Sequence, residues 1–285
     1  MDRDVTIRFY ELRHQDGAGA DLGEVMAQIN DLGKRDREKE VTGGVTLRLE
    51  HLEERNGLLL GDITRVQTEN LPGHVTDDAN DPLPVDRIGH PAAFCFDPDT
   101  YCIALQFDMK IGVGRVCNYF SQFANGTGYA HMPILRQDAL ARFEHETPTS
   151  LSIRVARVRN FQHANMQISD VEEHIEALGA LFGAPSVEIT VSCKGVDGGI
   201  NRNRTINTVR RWLGLKEEID GIRKITGTTI ESDEAFNFVK SLLKESETLD
   251  LPANDPADGM ARRLRHVRAK YELHQHYIRA VTGVA

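Results

Sequence analysis

The sequence contains little of what usually identifies a protein at first sight. Aromatic residues make up 6% of its 285 residues, one residue is tryptophan, and there are four cysteines. The cysteines form no CxxC pair, and three of them lie in apolar patterns typical of small buried side chains, which argues against a disulfide framework. No stretch approaches the ~18 apolar residues of a membrane-spanning helix, and the charged N-terminus does not resemble a signal peptide. These absences predict a soluble, cytoplasmic protein.

Motifs for catalysis and for cofactor binding are also missing. There is no HExxH, GxSxG or Walker A sequence, and no complete GxGxxG loop after a strand. The carboxylate pair Asp97 and Asp99 could begin a metal site, but it lies in a turn that uses aspartate for its own geometry. The sequence therefore predicts no catalytic residue, no metal and no cofactor. A divergent metal-dependent nuclease remains open as the enzyme alternative.

The first part of the chain has the alternation of an antiparallel sheet. Residues 5–12 predict a strand, and residues 22–32 a short helix that Asp21 can cap. Residues 45–53 and 58–66 predict a hairpin, because Asn56-Gly57 supplies the left-handed turn between them. Residues 88–123 predict a strand, a tight turn, a second strand and a helix.

The second part alternates helices and strands. A capping box at Ser169–Glu172 predicts a helix to about residue 182, and a strand and a second helix follow at 187–193 and 202–213. We expect an α+β fold with two domains. An antiparallel-sheet domain with flanking helices covers residues 1–165, and a smaller α/β domain with a long C-terminal helix covers residues 166–285.

The predicted C-terminal helix, residues 256–281, has apolar residues at a regular four–three spacing, as in the a/d seam of a coiled coil. Two interpretations stay open: the seam packs against its own domain, or it joins two copies of the chain. The residues assigned to a dimer seam are Met260, Leu264, Val267, Tyr271 and Ile278.

Basic residues give the clearest positive signal. Residues 194–211 carry five basic residues and one acidic residue, although the chain has a net charge of −9. On a helical projection, arginine and asparagine form adjacent polar stripes, a combination suited to phosphate and base-edge contacts. An ordinary solvated face is the alternative. The predicted nucleic-acid-binding residues, which include two at the end of a preceding strand, are Lys194, Arg202, Arg204, Asn207, Arg210, Arg211, Arg154 and Arg157.

A third basic group lies on the C-terminal helix, in residues 262–270. Acidic residues concentrate elsewhere, in residues 62–86 and 233–250. Such segregation would steer a polyanion toward one side of the molecule.

The order of these parts resembles the RexA-like phage-exclusion and abortive-infection sensor family. The matching pieces are the strand–turn–strand–helix unit 92–123, the strand 150–158, the helix 171–182 with the strand 186–193, and the helix 260–280. The first eighty residues match poorly. The resemblance implies a cytoplasmic homodimer that binds double-stranded DNA with little sequence preference and works with a separate membrane effector protein from the same operon.

The function predicted from both lines of reasoning is a DNA-binding sensor or adaptor in bacterial anti-phage defence, without enzymatic activity of its own. The main alternative is a protein-interaction module that binds no nucleic acid. It would use the helical seam and the acidic loops.

Overall fold

The computed structural model describes residues 2–15, 19–75, 80–82, 84–136, 139–156, 170–193, 199–218, 221–231, 235–252 and 255–283. The chain forms two compact units: unit 1 is Met1–His131 with Lys244–Ala285, and unit 2 is Met132–Leu243. Mixed α+β architecture is confirmed, with antiparallel strand pairs and a long C-terminal helix. Within the described ranges, no helix is both long enough and apolar enough to cross a membrane.

The elements follow one another in three stretches of the chain. The first stretch contains β1 (Asp2–His14), α1 (Leu22–Asp31), β2 (Lys39–Val41), β3 (Val45–Arg55), β4 (Leu58–Gln67), β5 (Gly73–Val75), β6 (Asn80–Pro82), β7 (Ile88–Asp97), β8 (Cys102–Gln106), α2 (Val113–Ser121) and β9 (Tyr129–Pro133). The second contains α3 (Ala139–His145), β10 (Pro148–Ala156), α4 (Asp170–Phe182), β11 (Ser186–Ser192), α5 (Arg202–Glu218), β12 (Ile222–Thr229) and β13 (Phe236–Asn237). The third contains β14 (Lys244–Asp250) and α6 (Pro256–Thr282).

Unit 1 is built on a sheet of eight described strands in the order β14-β1-β8-β7-β4-β3-β2, with β9 paired to β1. The predicted hairpin is confirmed as β3 and β4, and Arg55 pairs with Leu58 at its closed end. Asn56 and Gly57 between them have φ values of 55° and 77°, the left-handed conformation that the Asn-Gly sequence predicts.

One face of this sheet is covered by α1 and α2, which enclose a large apolar cluster. Asp21 caps α1 as predicted, since its carboxylate accepts a hydrogen bond from the backbone of Glu24 at 3.0 Å. Gly61 pairs with Phe94 across β4 and β7, and the Phe94 ring lies where a side chain at Gly61 would be. A Cβ at Gly61 would come within 2.1 Å of the ring, so this position requires glycine.

The opposite face of the sheet is covered by α6, which packs against β1, β4, β7 and β8. Small residues on the two central strands, such as Ala93, Cys95 and Ala104, let the helix approach closely. The seam side of α6 is therefore already occupied by the chain's own sheet.

The predicted dimer seam is wrong for this reason. Four of its five members are buried within unit 1, and the fifth, Met260, is half-buried. Packing on a sheet and packing on a partner helix both need an apolar stripe, so the spacing could not distinguish them. The buried members are Leu264, Val267, Tyr271 and Ile278.

The division of the chain also differs from the predicted one at residue 165. After unit 2, β14 returns to unit 1 and pairs antiparallel with β1, from Asp2 opposite Asp250 to Arg8 opposite Lys244. The C-terminal helix that follows belongs to unit 1. The sequence KESETLD of β14 has no apolar alternation, which is why this returning edge strand was not predicted.

Unit 2 contains a four-stranded sheet in the order β11-β10-β12-β13. The three strand pairs β10–β11, β10–β12 and β12–β13 are antiparallel, rather than parallel as an α/β domain would have them. One face carries an apolar cluster that includes Trp212 of α5, Phe143 of α3 and Ile175 of α4. Gly227 of β12 leaves room for the Phe143 ring, which a Cβ would approach to 2.4 Å. The helices of unit 2 thus share one face of its sheet.

Candidate nucleic-acid interface

The basic helix predicted from the sequence is α5, and its start is fixed by Asn201. The Asn201 side-chain oxygen accepts a hydrogen bond from the backbone N–H of Arg204 at 3.0 Å, as an N-cap does. The Thr205 hydroxyl donates to the Asn201 carbonyl at 2.7 Å. Val209 and Trp212 are completely buried against the sheet of unit 2, and Leu213 lies beside them. The predicted buried side of the helix is confirmed.

The opposite side of α5 exposes a polar surface, which we call the α5 surface. Its exposed members are the side chains of Arg202, Asn203, Arg204 and Asn207, and the half-buried Arg210 extends it by one turn. Two adjoining surface depressions meet at Arg202 and Asn203. The structure therefore brings together four of the eight predicted nucleic-acid-binding residues and adds Asn203 to them.

The fourth predicted arginine of this helix, Arg211, is half-buried and lies next to Arg210 in the chain. Its side chain or backbone already takes part in an interaction with another group. We therefore do not count its charge toward the α5 surface.

Two carboxylates border the α5 surface and reduce its positive charge. Glu144 of α3 accepts a hydrogen bond from the guanidinium of Arg210 in a partly exposed ion pair. The Nε of Arg210 is buried and has no hydrogen-bond partner among the described residues. This pair cannot be predicted from local sequence patterns, because its partners lie 66 positions apart.

The second carboxylate, Glu231, lies near Arg202. Its oxygens accept hydrogen bonds from the backbone N–H and the hydroxyl of Thr147 at 2.7 and 2.8 Å. These bonds hold the pKa of Glu231 below its usual range, and the charge of Arg202 adds to the effect. Arg204 has no acidic partner in the described part of the chain. Positive charge is thus least compensated at the start of α5.

Arg154 does not belong to this surface, contrary to the prediction. It lies on β10 between Ile153 and Val155, which face the helices, so its side chain is on the other face of the sheet. There it lies opposite Glu188 of β11 and Lys224 of β12 in the strand register. The remaining two predicted residues, Lys194 and Arg157, lie outside the described residues.

The basic residues of the C-terminal helix do not form a free patch either. Arg263 makes a buried ion pair with Asp62 at 2.7 Å. Burial raises the pKa of Asp62, although Arg263 opposes the shift. The other pairs are Arg262 with Asp258 and Asp250, Arg268 with Glu272, and Lys270 with Glu247. Folding places an acid beside most of these cations, from neighbouring turns and from β4 and β14.

The carboxylate pair considered for a nuclease has structural partners. Asp97 is buried and accepts hydrogen bonds from the Tyr271 hydroxyl at 2.6 Å and from the backbone of Asp99 at 2.9 Å. Asp99 is paired with Arg279 of α6 at 3.1 Å. In the described part of the chain, no group of three histidine, cysteine, aspartate or glutamate side chains could hold a metal ion.

The distribution of charge between the units favours unit 2 as the partner of a polyanion. Unit 2 contains 14 lysine and arginine residues against 15 aspartate and glutamate residues, so nearly all of the net charge of −9 belongs to unit 1. The repulsion of a nucleic acid by the net charge of the chain therefore comes mainly from unit 1.

Comparison with models of known protein families and with curated proteins finds no match to this chain. The resemblance to the RexA-like family therefore stays a prediction from the order of elements. The function has to be inferred from the chain's own residues.

Proposed function

We propose that unit 2 binds nucleic acid, in the first place double-stranded DNA, through the α5 surface and largely without reading sequence. The observation that carries the proposal is the exposure of Arg202 and Arg204, with Asn203 and Asn207 beside them, on the first two turns of a helix. The N-terminal turn of a helix carries backbone N–H groups and partial positive charge that favour an anion. Arginine in this position suits phosphate oxygens, which fix a protein on a duplex without specifying its sequence.

The size of the surface limits the strength of binding. Residues 202–210 extend about 12 Å along the helix axis, enough for two or three phosphate contacts. At about 0.9 per contact, the slope of log affinity against log salt concentration is expected to lie near −2 to −3. Affinity should then fall about 10- to 40-fold between 50 and 200 mM salt. Unit 2 is thus expected to bind weakly and in a salt-dependent way.

Substitution of Glu144 should strengthen DNA binding, whereas substitution of the arginines should weaken it. Because its carboxylate occupies the guanidinium of Arg210, Glu144→Gln should release that arginine for a phosphate contact. One added contact makes the salt slope steeper by about 1. A variant that binds DNA more tightly than the native chain is hard to explain by damage to the fold.

The experiment is fluorescence anisotropy of a labelled duplex titrated with the full chain at several salt concentrations. We expect the double variant Arg202→Gln/Arg204→Gln to lose most binding and about 2 from the salt slope. The control is Arg265→Gln, which removes an exposed arginine from α6 of unit 1 and should leave binding unchanged.

Either of two results would contradict the proposal that the α5 surface binds DNA. If the native chain does not bind at 50 mM salt, or if the double variant and the Arg265→Gln control bind alike, the α5 surface is a solvated face. Two unrelated duplex sequences should give equal affinities, since phosphate contacts are the same in both.

The wider role as a sensor or adaptor in anti-phage defence is a proposal supported only by the order of elements. Phage plating on cells that carry the chain and its neighbouring genes tests it. If protection exists and depends on DNA binding, the Arg202→Gln/Arg204→Gln variant should lose it and the Arg265→Gln control should keep it.

A further inference from the structure

The outer edge of β11 is the most open feature of unit 2. This strand pairs with β10 over all seven residues, Ser186 to Ser192, without a register shift. Among the described residues no strand pairs with its other side. Edge strands are usually protected by proline, charged side chains or a bulge. SVEITVS has no proline, no lysine and no bulge, and its one charged side chain, Glu188, is paired with Lys224. Such an edge can accept another strand.

The sequence of β11 reads almost the same in both directions around Ile189. Ser186 corresponds to Ser192 and Val187 to Val191, and only Glu188 and Thr190 differ. If two copies of β11 pair antiparallel about Ile189, serine meets serine and valine meets valine. Glu188 meets Thr190 of the other copy, so the two carboxylates do not face each other directly. A two-fold interface requires this kind of self-complementarity.

The hydrogen-bonding directions fit the same register. Cys193, next to the end of β11, donates its backbone N–H to Thr149 on the β10 side at 3.0 Å. Because backbone groups alternate along a strand, Ile189 also bonds toward β10, whereas Glu188 and Thr190 direct theirs outward. In the paired strands, each Glu188 can therefore exchange two backbone hydrogen bonds with Thr190 of the other copy.

Apolar side chains near this edge lack cover. Val191 is 54% exposed, and at the end of α4, which packs on β11, Leu181 and Phe182 are 75% and 74% exposed. Val187, Ile189 and Val191 share the helix-covered face of the sheet. A two-fold axis perpendicular to the sheet would place both copies of α4 on that face, beside the junction.

We propose that the β11 edge joins two copies of this chain, so that two four-stranded sheets form one continuous sheet. The occupant is a second copy because the near-palindromic strand matches itself residue by residue. Since α5 lies on the same face of the sheet as α4, pairing would also present two α5 surfaces on one face. The dimer does not depend on the proposed function, but it would increase the affinity for a long duplex by avidity.

The first test is the mass of the full chain by sedimentation over a range of concentrations. Val191→Lys places a charge on the exposed apolar side of the edge, and we expect it to raise the dimer dissociation constant at least ten-fold. The matched control is Leu273→Lys, also an exposed apolar residue at 66%, which lies on α6 and should leave the dimer intact. A native chain that is monomeric throughout, or a dimer unaffected by Val191→Lys, overturns the proposal.

A second test determines the register in which the two β11 strands pair, and it does not depend on the affinity of the dimer. In the proposed pairing Ile189 lies opposite its own counterpart, at a Cα separation near 4.5 Å that suits a disulfide. In a Cys193→Ser background, oxidised Ile189→Cys should give a covalent dimer. Val187→Cys should not, because its counterpart is four residues away along the strand. Equal crosslinking of both variants, or of neither, rejects this interface even if the fold is intact.

Discussion

The buried hydroxyl of Tyr271 allows a quantitative test of how α6 is held in unit 1. It donates a hydrogen bond of 2.6 Å to the Asp97 carboxylate and lies 3.0 Å from the Thr100 hydroxyl. The Tyr271 side chain is completely buried, and its burial raises the pKa of the phenol far above the ordinary value. It therefore stays protonated and remains a donor to a carboxylate that is itself 2% exposed.

Tyr271→Phe removes this hydroxyl and leaves the ring in place, so little cavity forms. A hydrogen bond to a charged group contributes about 1.5–3 kcal/mol, and loss of the donor leaves a buried carboxylate with one partner fewer. We expect the free energy of unfolding of unit 1 to fall by about 2 kcal/mol. If the seam of α6 lay in a dimer interface instead, this cost would not appear in the unfolding of a monomer.

Urea unfolding can follow the two units by different signals. Trp212, the only tryptophan, is buried in unit 2, so its fluorescence reports that unit, whereas far-UV circular dichroism reports both. With an m-value of about 2 kcal/mol/M, the transition of unit 1 should move about 1 M lower. The control Leu273→Ala changes an exposed side chain of the same helix and should stay within about 0.5 kcal/mol of the native chain.

A double-mutant cycle with Asp97→Asn isolates the contact. The coupling free energy of Tyr271 and Asp97 should be at least about 1 kcal/mol, since they are in direct contact. A Tyr271→Phe variant as stable as the native chain, together with negligible coupling, would refute the assignment of this hydrogen bond and with it the proposed anchor of α6.

Three further predictions concern packing, pH and thiol chemistry. Gly61→Ala should destabilise unit 1 by about 1–3 kcal/mol in urea unfolding, because the new methyl group must displace the Phe94 ring. Burial lowers the pKa of His266 below its usual 6.5, so the unfolded chain takes up a proton first as the pH falls. The unfolding free energy should therefore decline below about pH 6.5, and His266→Gln should reduce that decline. With a thiol reagent, the native chain should show one accessible cysteine, the half-buried Cys193, and four in denaturant, because the other three are buried.

The parts of the fold that could be predicted are those that depend on neighbouring residues. The Asn56-Gly57 turn, the Asp21 cap and the buried side of α5 are each specified within a few positions of the chain. The period of α6 predicted correctly which side is buried. It could not show what covers that side, because a sheet and a second helix require the same apolar stripe.

The parts that could not be predicted depend on distant residues. The strand β14 has one sheet neighbour and mostly exposed side chains, so it carries no alternation. Its pairing with β1 nevertheless decides that the C-terminal helix belongs to unit 1. The same limit applies to the candidate site, because Arg154 and α5 lie on opposite faces of one sheet and the sequence does not show this.

The difference between what neighbouring residues and what distant residues determine is clearest for the charged side chains. The two basic helices, α5 and α6, looked equivalent in sequence, since each carries a cluster of arginines with few acids between them. In the folded chain Asp62, Glu247 and Asp250 form ion pairs with the basic residues of α6. On α5, Glu144 pairs with Arg210 and Glu231 lies near Arg202, but Arg204 has no acidic partner in the described part of the chain. A cation that is already paired gains little from a phosphate, because binding must first break its ion pair. The α5 surface is therefore the stronger candidate for binding nucleic acid, and substitutions on α6 should affect stability rather than DNA affinity.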